Sequence, residues 1–431
     1  MITSIDGGCK GKCKKIWSFR PVWFMATDME KDVKIGDVIE VAIDTVAFGG
    51  NGVGRIHNLV VFVPFTVEGD RVEVEITAVR KRYLEGKTRR LSIPSPHREQ
   101  PLCRYFTHCG GCQYQHIRYD HQLQIKQHQV METFERIGKF SSPPVREVFP
   151  SPHPFHYRGK ADYHIYLEKD GWPVLGFMDT SGRQVVEIEH CVIVEETINQ
   201  ACLAYRKDLI AGRTKAIHER QIIWSDPAGE KPGEIVTDFH IPRHVTRMVK
   251  GKPFTVPYLG FFQANTFFTD RLVDYVLELS HLTGKETVVD VYCGSGLFSL
   301  FLAPHARQVF GIEIDGEAVK CARKNLADHG LGNTIFIEGN ASRMIKQNFI
   351  GPKARVDVII LDPPRTGCDP VLLSTVVQLK PAKVIYISCN PATQARDIRY
   401  LADRGFNLKI LQPFDMFPQT AHIEVAGLLE T

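Results

Sequence analysis

The chain has 431 residues, of which 43% are hydrophobic and 24% are charged, so it is long enough for two or three domains with full hydrophobic cores. Its formal net charge of +4 is too small to indicate a polyanionic partner unless basic residues cluster locally. No apolar run reaches the length of a membrane span, so we expect no transmembrane helix.

The number and spacing of the cysteines indicate the redox compartment of the protein. Eleven unevenly spaced cysteines, in a chain without a signal-peptide pattern, favour a reducing, cytoplasmic location and thiols used for metals or catalysis. Residues 1–29 are basic, and Arg20 and Pro21 interrupt their apolar stretch, which argues against a signal sequence. We interpret this segment as a disordered tail or as the result of a start codon placed too early, with Met25 or Met29 as the true start.

Residues 30–93 have the pattern of a small β-barrel, because four or five β-rich runs separated by glycine turns fall within about 60 residues. Residues 80–90 carry six basic side chains and one acid, Glu85. This stretch is either a solvated edge strand or a phosphate-binding rim, and we favour the rim. The layout resembles the TRAM domain, an oligonucleotide-binding type of barrel found on RNA-modifying enzymes.

Residues 94–262 are predicted to form a central α+β domain. Polar residues over 113–140 indicate a long helix, which we interpret as a connector with an exposed, RNA-facing side. Strand patterns follow at residues 157–166, 174–178, 184–188 and 220–224.

Four cysteines of this central domain are candidate metal ligands. Cys103, Cys109 and Cys112 fall within ten residues, and two glycines before Cys112 let the backbone curl. Cys191, far downstream, can supply a fourth thiolate. Four thiolates suit zinc or an iron–sulfur cluster, and the spacing does not choose between them.

Residues 263–431 alternate strands and helices, which predicts a doubly wound parallel sheet with its ligand crevice at the carboxyl ends of the strands. After the first strand comes Asp290-x3-Gly294-x-Gly296, and Glu313 ends the second strand, where a carboxylate can accept from both hydroxyls of a ribose. This loop resembles the S-adenosylmethionine site of class I methyltransferases. Asn340, after the third strand, falls where that family contacts the adenine.

Cys389 lies where an apolar strand changes to a helical pattern. Asn390 is a good N-cap and Pro391 suits the first helical position, so the thiol is expected just outside a helix N-terminus. The helix dipole favours a thiolate there, which makes Cys389 a candidate nucleophile. The alternative is a small buried core cysteine.

Asp362-Pro363-Pro364-Arg365 follows the fourth strand and predicts a rigid turn. It resembles the turns with which amino-group methyltransferases hold a planar base, and an ordinary turn at the end of a strand is the alternative. Methylation of an amino group needs no covalent catalyst. Carbon 5 of a pyrimidine, in contrast, becomes nucleophilic only after a thiolate adds at carbon 6. A base must then remove the carbon 5 proton, and His422 and Glu424 are the candidates.

Five motifs together are similar to the RNA uracil-5-methyltransferase family, and the resemblance covers the chain from residue 34 onward. They are Cys103-x5-Cys109-Gly110-Gly111-Cys112, Phe261-Phe262-Gln263-Ala264-Asn265, Asp362-Pro363-Pro364-Arg365, Ser388-Cys389-Asn390-Pro391 and Phe417-Pro418-Gln419-Thr420-x-His422-x-Glu424.

The resemblance implies a role for each candidate residue. Cys389 would be the nucleophile, and Glu424 would remove the proton. The expected contacts of S-adenosylmethionine are Gln263, Tyr292, Glu313, Asn340 and Asp362.

Within the family, the barrel and the four cysteines resemble the branch that methylates 23S rRNA and carries a [4Fe-4S] cluster on Cys103, Cys109, Cys112 and Cys191. Zinc remains the alternative metal. A tRNA uracil-5-methyltransferase of the same chemistry is the alternative function, and a non-catalytic iron–sulfur protein that binds RNA or assists assembly is the alternative class. We expect a cytoplasmic monomer that acts on RNA.

Overall fold

The computed structural model describes residues 33–168, 172–215, 219–225, 234–235, 244–351 and 355–431. The tail predicted over residues 1–29 lies outside the described residues. The described residues form a closed barrel, a central α+β region and a seven-stranded sheet, so the predicted fold class is confirmed. None of the described helices is long and apolar enough to cross a membrane.

The barrel has five strands, β1 (Val38–Val46), β2 (Asn51–Ile56), β3 (Leu59–Pro64), β4 (Arg71–Val79) and β5 (Tyr83–Ile93). It closes because β1 pairs with both β2 and β4, while β3 pairs in parallel with β5. Alternate apolar side chains fill the interior. The basic stretch of the sequence is largely β5, where Lys87 and Arg89 are exposed and both pair with Glu75.

The central region holds two helices, a five-stranded sheet and a hairpin. The helices are α1 (Tyr119–Arg136) and α2 (Glu196–Ile210). The sheet strands are β6 (Lys160–Leu167), β7 (Pro173–Met178), β8 (Val185–Glu187), β9 (Arg220–Trp224) and β10 (Glu234–Ile235), in the order β10-β9-β6-β7-β8. The hairpin consists of β11 (His244–Val249) and β12 (Lys252–Pro257).

The C-terminal sheet has the order β15-β14-β13-β16-β17-β19-β18. Its strands are β13 (Thr287–Val291), β14 (Gln308–Glu313), β15 (Thr334–Glu338), β16 (Val358–Leu361), β17 (Lys383–Ser388), β18 (Asn407–Phe414) and β19 (Glu424–Glu430). Its helices are α3 (Thr269–Ser280), α4 (Leu297–Leu302) with a 3-10 turn over Ala303–His305, α5 (Gly316–Asp328), α6 (Ala341–Phe349), α7 (Pro370–Leu379) and α8 (Pro391–Ala402).

The prediction of an all-parallel sheet was wrong for one strand. β19 runs antiparallel to both β17 and β18 and lies between them, although it follows both in the chain. Helices cover both faces of the sheet, with Leu272 of α3 in the cluster on one face and Ile398 of α8 in the cluster on the other. Burial on both faces explains why these strands are nearly continuous apolar runs.

Helix α1 has one exposed side, which includes Gln124 and His128, and one side that is buried against the protein. Its polar side chains Gln122, Lys126 and Gln129 are buried. Lys126 Nζ lies 2.5 Å from Asp415 Oδ1 and donates to the carbonyl of Phe417 at 3.1 Å, and the ion pair has no solvent exposure. The helix therefore anchors the loop that joins β18 to β19.

We predict that replacing Lys126 with Met lowers the free energy of unfolding by about 3–5 kcal/mol, because Asp415 then stays buried without its cation. Urea unfolding measures this loss. The matched control is Lys324→Met on α5, where an exposed pair with Asp328 is lost and a change below about 1 kcal/mol is expected. Equal losses in the two variants would contradict the prediction.

Candidate active site

The loop after β13 has the backbone geometry of a ligand cradle. Tyr292, Gly294 and Gly296 all have positive φ angles, of 66°, 54° and 84°. A side chain on Gly296 would meet the Phe336 ring at 3.0 Å, so glycine is required there for packing as well as for conformation. The loop leads directly into the N-terminus of α4.

Glu313 holds this loop in place. Its Oε2 accepts from the Gly294 amide at 3.0 Å, and its Oε1 accepts from the amides of Ile314 and Asp315 at 2.7 and 2.9 Å. Oε2 has a further lone pair, so Glu313 can still accept from a hydroxyl group. This is the position in which the sequence predicts a ribose contact.

Asp290 is a buried carboxylate beneath the loop. Its Oδ2 accepts from the amide and hydroxyl of Ser299 at 2.9 and 2.6 Å. Burial raises the pKa of Asp290 to about 6, opposed by the Ser299 hydrogen bonds and reinforced by the Glu313 carboxylate. Asp290 Oδ1 and Ser295 Oγ are buried and have no hydrogen-bond partner among the described residues. Two unpaired polar atoms at the loop fit a bound polar ligand.

Cys389 and Glu424 are brought together by strand pairing. β17 and β19 are antiparallel, and Ser388 is paired with Val425, so the next step of the register sets Cys389 opposite Glu424. Glu424 also pairs with Phe414 at the end of β18. Asp362 follows β16 on the other side of β17, and its amide donates to the carbonyl of Val291 at 3.3 Å.

The local geometry of Cys389 is as predicted. β17 ends at Ser388, and α8 begins at Pro391 with Asn390 as its N-cap, whose side chain accepts from the Ala392 amide at 3.2 Å. The thiol is half-buried, so it is not a core cysteine.

The surroundings of Cys389 oppose the ionisation that the helix N-terminus favours. Burial and the Glu424 carboxylate raise the pKa of the thiol, and the Arg365 guanidinium, which hydrogen-bonds it, only partly opposes them. Burial is the largest of these effects, and the Glu424 carboxylate, which is distant in sequence, adds to it.

Arg365 is fixed by the helix that follows Cys389. Its carbonyl accepts from Asn390 Nδ2 at 2.9 Å and from Thr393 Oγ1 at 3.2 Å. Arg365 Nη2 lies 3.4 Å from His422 Nδ1. The Asp-Pro-Pro-Arg turn thereby supplies a cation beside the thiol, a role that the sequence did not reveal because Cys389 is 24 residues further along the chain.

The electrostatics favour Glu424 over His422 as a base. Burial and the Asp362 carboxylate raise the pKa of Glu424 well above its usual value, while Arg365 lowers it in part. Burial likewise raises the pKa of Asp362. Desolvation and Arg365 lower the pKa of His422 to about 4. A carboxylate whose pKa is raised binds a proton more tightly than an imidazole whose pKa is lowered.

The four predicted cysteines line one cavity of about 270 Å³, together with Arg158, Asp162, His164 and Tyr105 among other residues. We call it the cysteine cavity. Burial raises the pKa values of Cys112 and Cys191, the latter to about 11, and nearby thiols of the set raise them further. A side chain on Gly110 would meet the Asp179 carbonyl at 2.8 Å, which explains the glycine next to Cys109.

The spacing of the thiols is wider than a zinc site requires. Tetrahedral zinc at 2.3 Å from each thiolate holds the sulfurs about 3.8 Å apart. No three of these four described cysteines have all their sulfurs within 4.8 Å of one another. A cluster with one thiolate on each iron suits a wider set.

One further set of potential ligands lies between the barrel and α1. Ligand atoms of Glu68, His97 and His121 lie within 4.8 Å of one another. The rings of His97 and His121 are stacked 3.7 Å apart and almost parallel, at 6°. Their lone pairs therefore run side by side and do not converge on one ion, so we assign no metal here.

Two protein-family models match this chain. A model for tRNA (uracil-5-)-methyltransferases matches residues 248–431, and a model for the TRAM domain matches residues 32–88. An uncharacterized RNA methyltransferase of Halalkalibacterium halodurans is 34% identical over 92% of this chain and 98% of its own length. The chain belongs to the tRNA (uracil-5-)-methyltransferase family. It is an RNA methyltransferase with an N-terminal TRAM domain.

Other relatives agree with this membership. An uncharacterized RNA methyltransferase of Caldanaerobacter subterraneus is 36% identical over 92% of this chain and 99% of its own length. Among solved structures, the Pyrococcus abyssi tRNA (uracil-54, C5)-methyltransferase in complex with S-adenosyl-L-homocysteine matches with a TM-score of 0.69 and 23% identity. That match covers 91% of this chain and 100% of the other, which shows that the two proteins share their fold.

Three other residues predicted to contact S-adenosylmethionine lie in different environments. Tyr292 is half-buried against the core of the sheet, close to Cys368. Asn340 is exposed and caps α6, where its Oδ1 accepts from the Arg343 amide at 3.1 Å. Gln263 is buried between β12 and α3. Their contacts with a cofactor stay predictions.

We predict that Glu424→Gln makes the protein more stable at pH 8 and that the gain shrinks as the pH falls toward 4.5. The folded state raises the pKa of this carboxyl, so its stabilising contribution is complete below the unfolded value and is lost as the pH rises through the folded value. Glutamine does not ionise and avoids that loss. Thermal unfolding across pH measures the difference, with Glu430→Gln on the same strand as the control. A gain that does not change with pH would contradict this account.

Proposed function

We propose that this RNA methyltransferase transfers a methyl group from S-adenosylmethionine to carbon 5 of a uridine, and that Cys389 and Glu424 carry the reaction. The observation that supports this most directly is the β17–β19 register, which sets a half-buried thiol opposite a buried carboxylate. A thiol for addition at carbon 6 and a base for carbon 5 are the two groups that this chemistry needs.

The protein's own groups then act in sequence. The Cys389 thiolate adds to carbon 6, and the electron pair of the double bond moves so that carbon 5 becomes nucleophilic. Bound S-adenosylmethionine supplies the methyl group. Glu424 takes the proton from carbon 5, and the electrons of that bond restore the double bond and expel the thiolate. The cation of Arg365 beside the sulfur favours the thiolate form.

The cradle after β13 fits S-adenosylmethionine. Glu313 can accept from ribose hydroxyls, and the unpaired atoms Asp290 Oδ1 and Ser295 Oγ can contact the polar amino acid part. Gln263, Tyr292, Asn340 and Asp362 are proposed as further contacts.

For the cysteine cavity we propose a [4Fe-4S] cluster on Cys103, Cys109, Cys112 and Cys191, with zinc as the alternative. The sulfur spacing supports the cluster, because three thiols close enough for a tetrahedral zinc site do not occur within this described set. Burial raises the pKa values of Cys109, Cys112 and Cys191, so a cationic centre is needed to hold these three as thiolates near pH 7.

For the substrate we propose 23S rRNA, with a uridine of tRNA as the alternative. The barrel and the cysteine cavity support the ribosomal branch that the motifs resemble. The match to a tRNA enzyme over 91% of this chain is the observation that favours the alternative. In either case the protein is expected in the cytoplasm, as a monomer.

The proposal is tested with labelled S-adenosylmethionine and unmodified 23S rRNA or tRNA. Wild type should methylate carbon 5 of one of them. Cys389→Ala should lose both methyl transfer and the denaturation-resistant adduct with 5-fluorouridine RNA, because no thiolate activates the ring. Glu424→Gln should form the methylated adduct on ordinary RNA but release it at least about a hundredfold more slowly than the wild type does.

The control is Cys368→Ala, which removes a buried cysteine that follows the Asp-Pro-Pro-Arg turn. Methylation by Cys389→Ala would refute the assignment.

Anaerobic purification distinguishes the metals. A cluster predicts a brown protein with broad visible absorption and four irons per chain, whereas stoichiometric zinc in a colourless protein would contradict it. We expect Cys112→Ala to lose the colour and Cys202→Ala, a buried cysteine of α2, to keep it.

A further inference from the structure

The loop that leads to Glu424 is held by its backbone. Residues 415–423 join β18 to β19, and four consecutive carbonyls of this loop accept hydrogen bonds from outside it. Asn265 Nδ2 donates to Met416 at 3.1 Å, Lys126 Nζ to Phe417 at 3.1 Å, the Tyr157 hydroxyl to Pro418 at 3.0 Å, and the amides of Gln113 and Tyr114 to Gln419 at 3.1 and 3.0 Å.

Gln419 is the most constrained residue of this loop. It is fully buried and has a φ of 67°, a conformation that few non-glycine residues adopt without support. Gln122 supplies that support, because its Oε1 accepts from the Gln419 amide at 3.1 Å and its Nε2 donates to Gln419 Oε1 at 3.0 Å. The loop therefore takes its shape from contacts made outside it.

Gln113 connects this loop to the cysteine cavity. It directly follows Cys112, and its Nε2 donates to the carbonyl of Gly110 at 2.9 Å. Its Oε1 accepts from the amide of Ala421 at 3.1 Å, three residues before Glu424. One side chain thus links the cysteine segment to the start of β19.

The barrel also lies next to the side chain of Gln113. Gly50 has a φ of 99°, and a Cβ there would lie 2.8 Å from Cβ of Gln113 and 3.3 Å from Cβ of Ala421. Gln113 accordingly lies where the barrel, the cysteine segment and the loop before Glu424 come together. A residue in this place can set how β19 enters the active site.

We propose that Gln113 is a positioning residue for the removal of the carbon 5 proton. Its Oε1 holds the Ala421 amide, and this contact sets the position of Glu424 opposite Cys389. The inference rests on the proposed function. It adds that the segment around Cys112 affects the second half of the reaction, which is removal of the carbon 5 proton and release of the methylated RNA. Addition of the thiolate and transfer of the methyl group are unchanged.

The test variant is Gln113→Met, which keeps the length of the side chain and removes both hydrogen bonds. With ordinary uridine RNA, single-turnover methyl transfer should keep its wild-type rate. Release of the methylated RNA should slow by at least about tenfold, because a small displacement of a catalytic base costs that much. The methylated, denaturation-resistant adduct should then accumulate at steady state.

Two further variants sharpen the test. Gln113→Glu keeps an acceptor for the Ala421 amide, so most of the release rate should return. Gln113→Asn is too short to bridge Gly110 and Ala421, and it replaces the Met variant if that variant does not fold. The matched control is Gln378→Met, an exposed glutamine of α7, which should behave as wild type.

The outcomes separate this inference from the function on which it rests. Adduct formation by wild type with 5-fluorouridine RNA, together with normal release by Gln113→Met, would overturn the positioning role alone. Equal slowing of methyl transfer and release would also overturn it, since that is the effect of a merely structural residue. Absence of any adduct, in wild type as in the variants, would instead refute the proposed function.

Discussion

The antiparallel pairing of β17 with β19 is the constraint on which the active site depends. The Cys389 thiol after the end of one strand and the Glu424 carboxylate at the start of the other become neighbours only because the two strands run in opposite directions. In an all-parallel sheet, the start of β19 would lie at the opposite edge from Cys389. The one strand that breaks the parallel pattern is therefore the strand that completes the site.

This arrangement gathers negative charge in a region with little water. Asp362 and Glu424 are two carboxyl groups near one half-buried thiol, Arg365 is the cation beside that thiol, and Asp290 is a third buried carboxyl group that interacts with Asp362. Desolvation raises the pKa of every acid in the group. The resulting cost to folding is offset by the apolar cores on both faces of the sheet. A site of this kind is arranged for proton transfer at the expense of stability.

The parts that could be predicted from sequence are those encoded over a few residues. The strand, Asn390 cap and helix around Cys389 follow from adjacent residues, as does the glycine loop after β13. The cysteine cavity was predictable because three of its cysteines lie close together in the chain and local turns bring them near one another.

Contacts between distant segments were not predictable in the same way. The sequence gives no sign that Lys126 and Gln122 are buried, because their partners, Asp415 and Gln419, come almost 300 residues later. The raised pKa of Cys389 has the same origin, since Glu424 reaches the thiol only through the inserted strand. A pattern of polar residues shows that a helix has polar faces, but it does not tell whether water or protein meets them.

The position of β19 also has a consequence for biosynthesis. Glu424 reaches Cys389 only after β18 and β19 have left the ribosome and β19 has inserted between two strands that were made earlier. The same holds for Gln113, whose side chain meets its partner Ala421 only after the loop before β19 has been made. The pairing of the proposed nucleophile with the proposed base is therefore one of the last contacts that a growing chain can form.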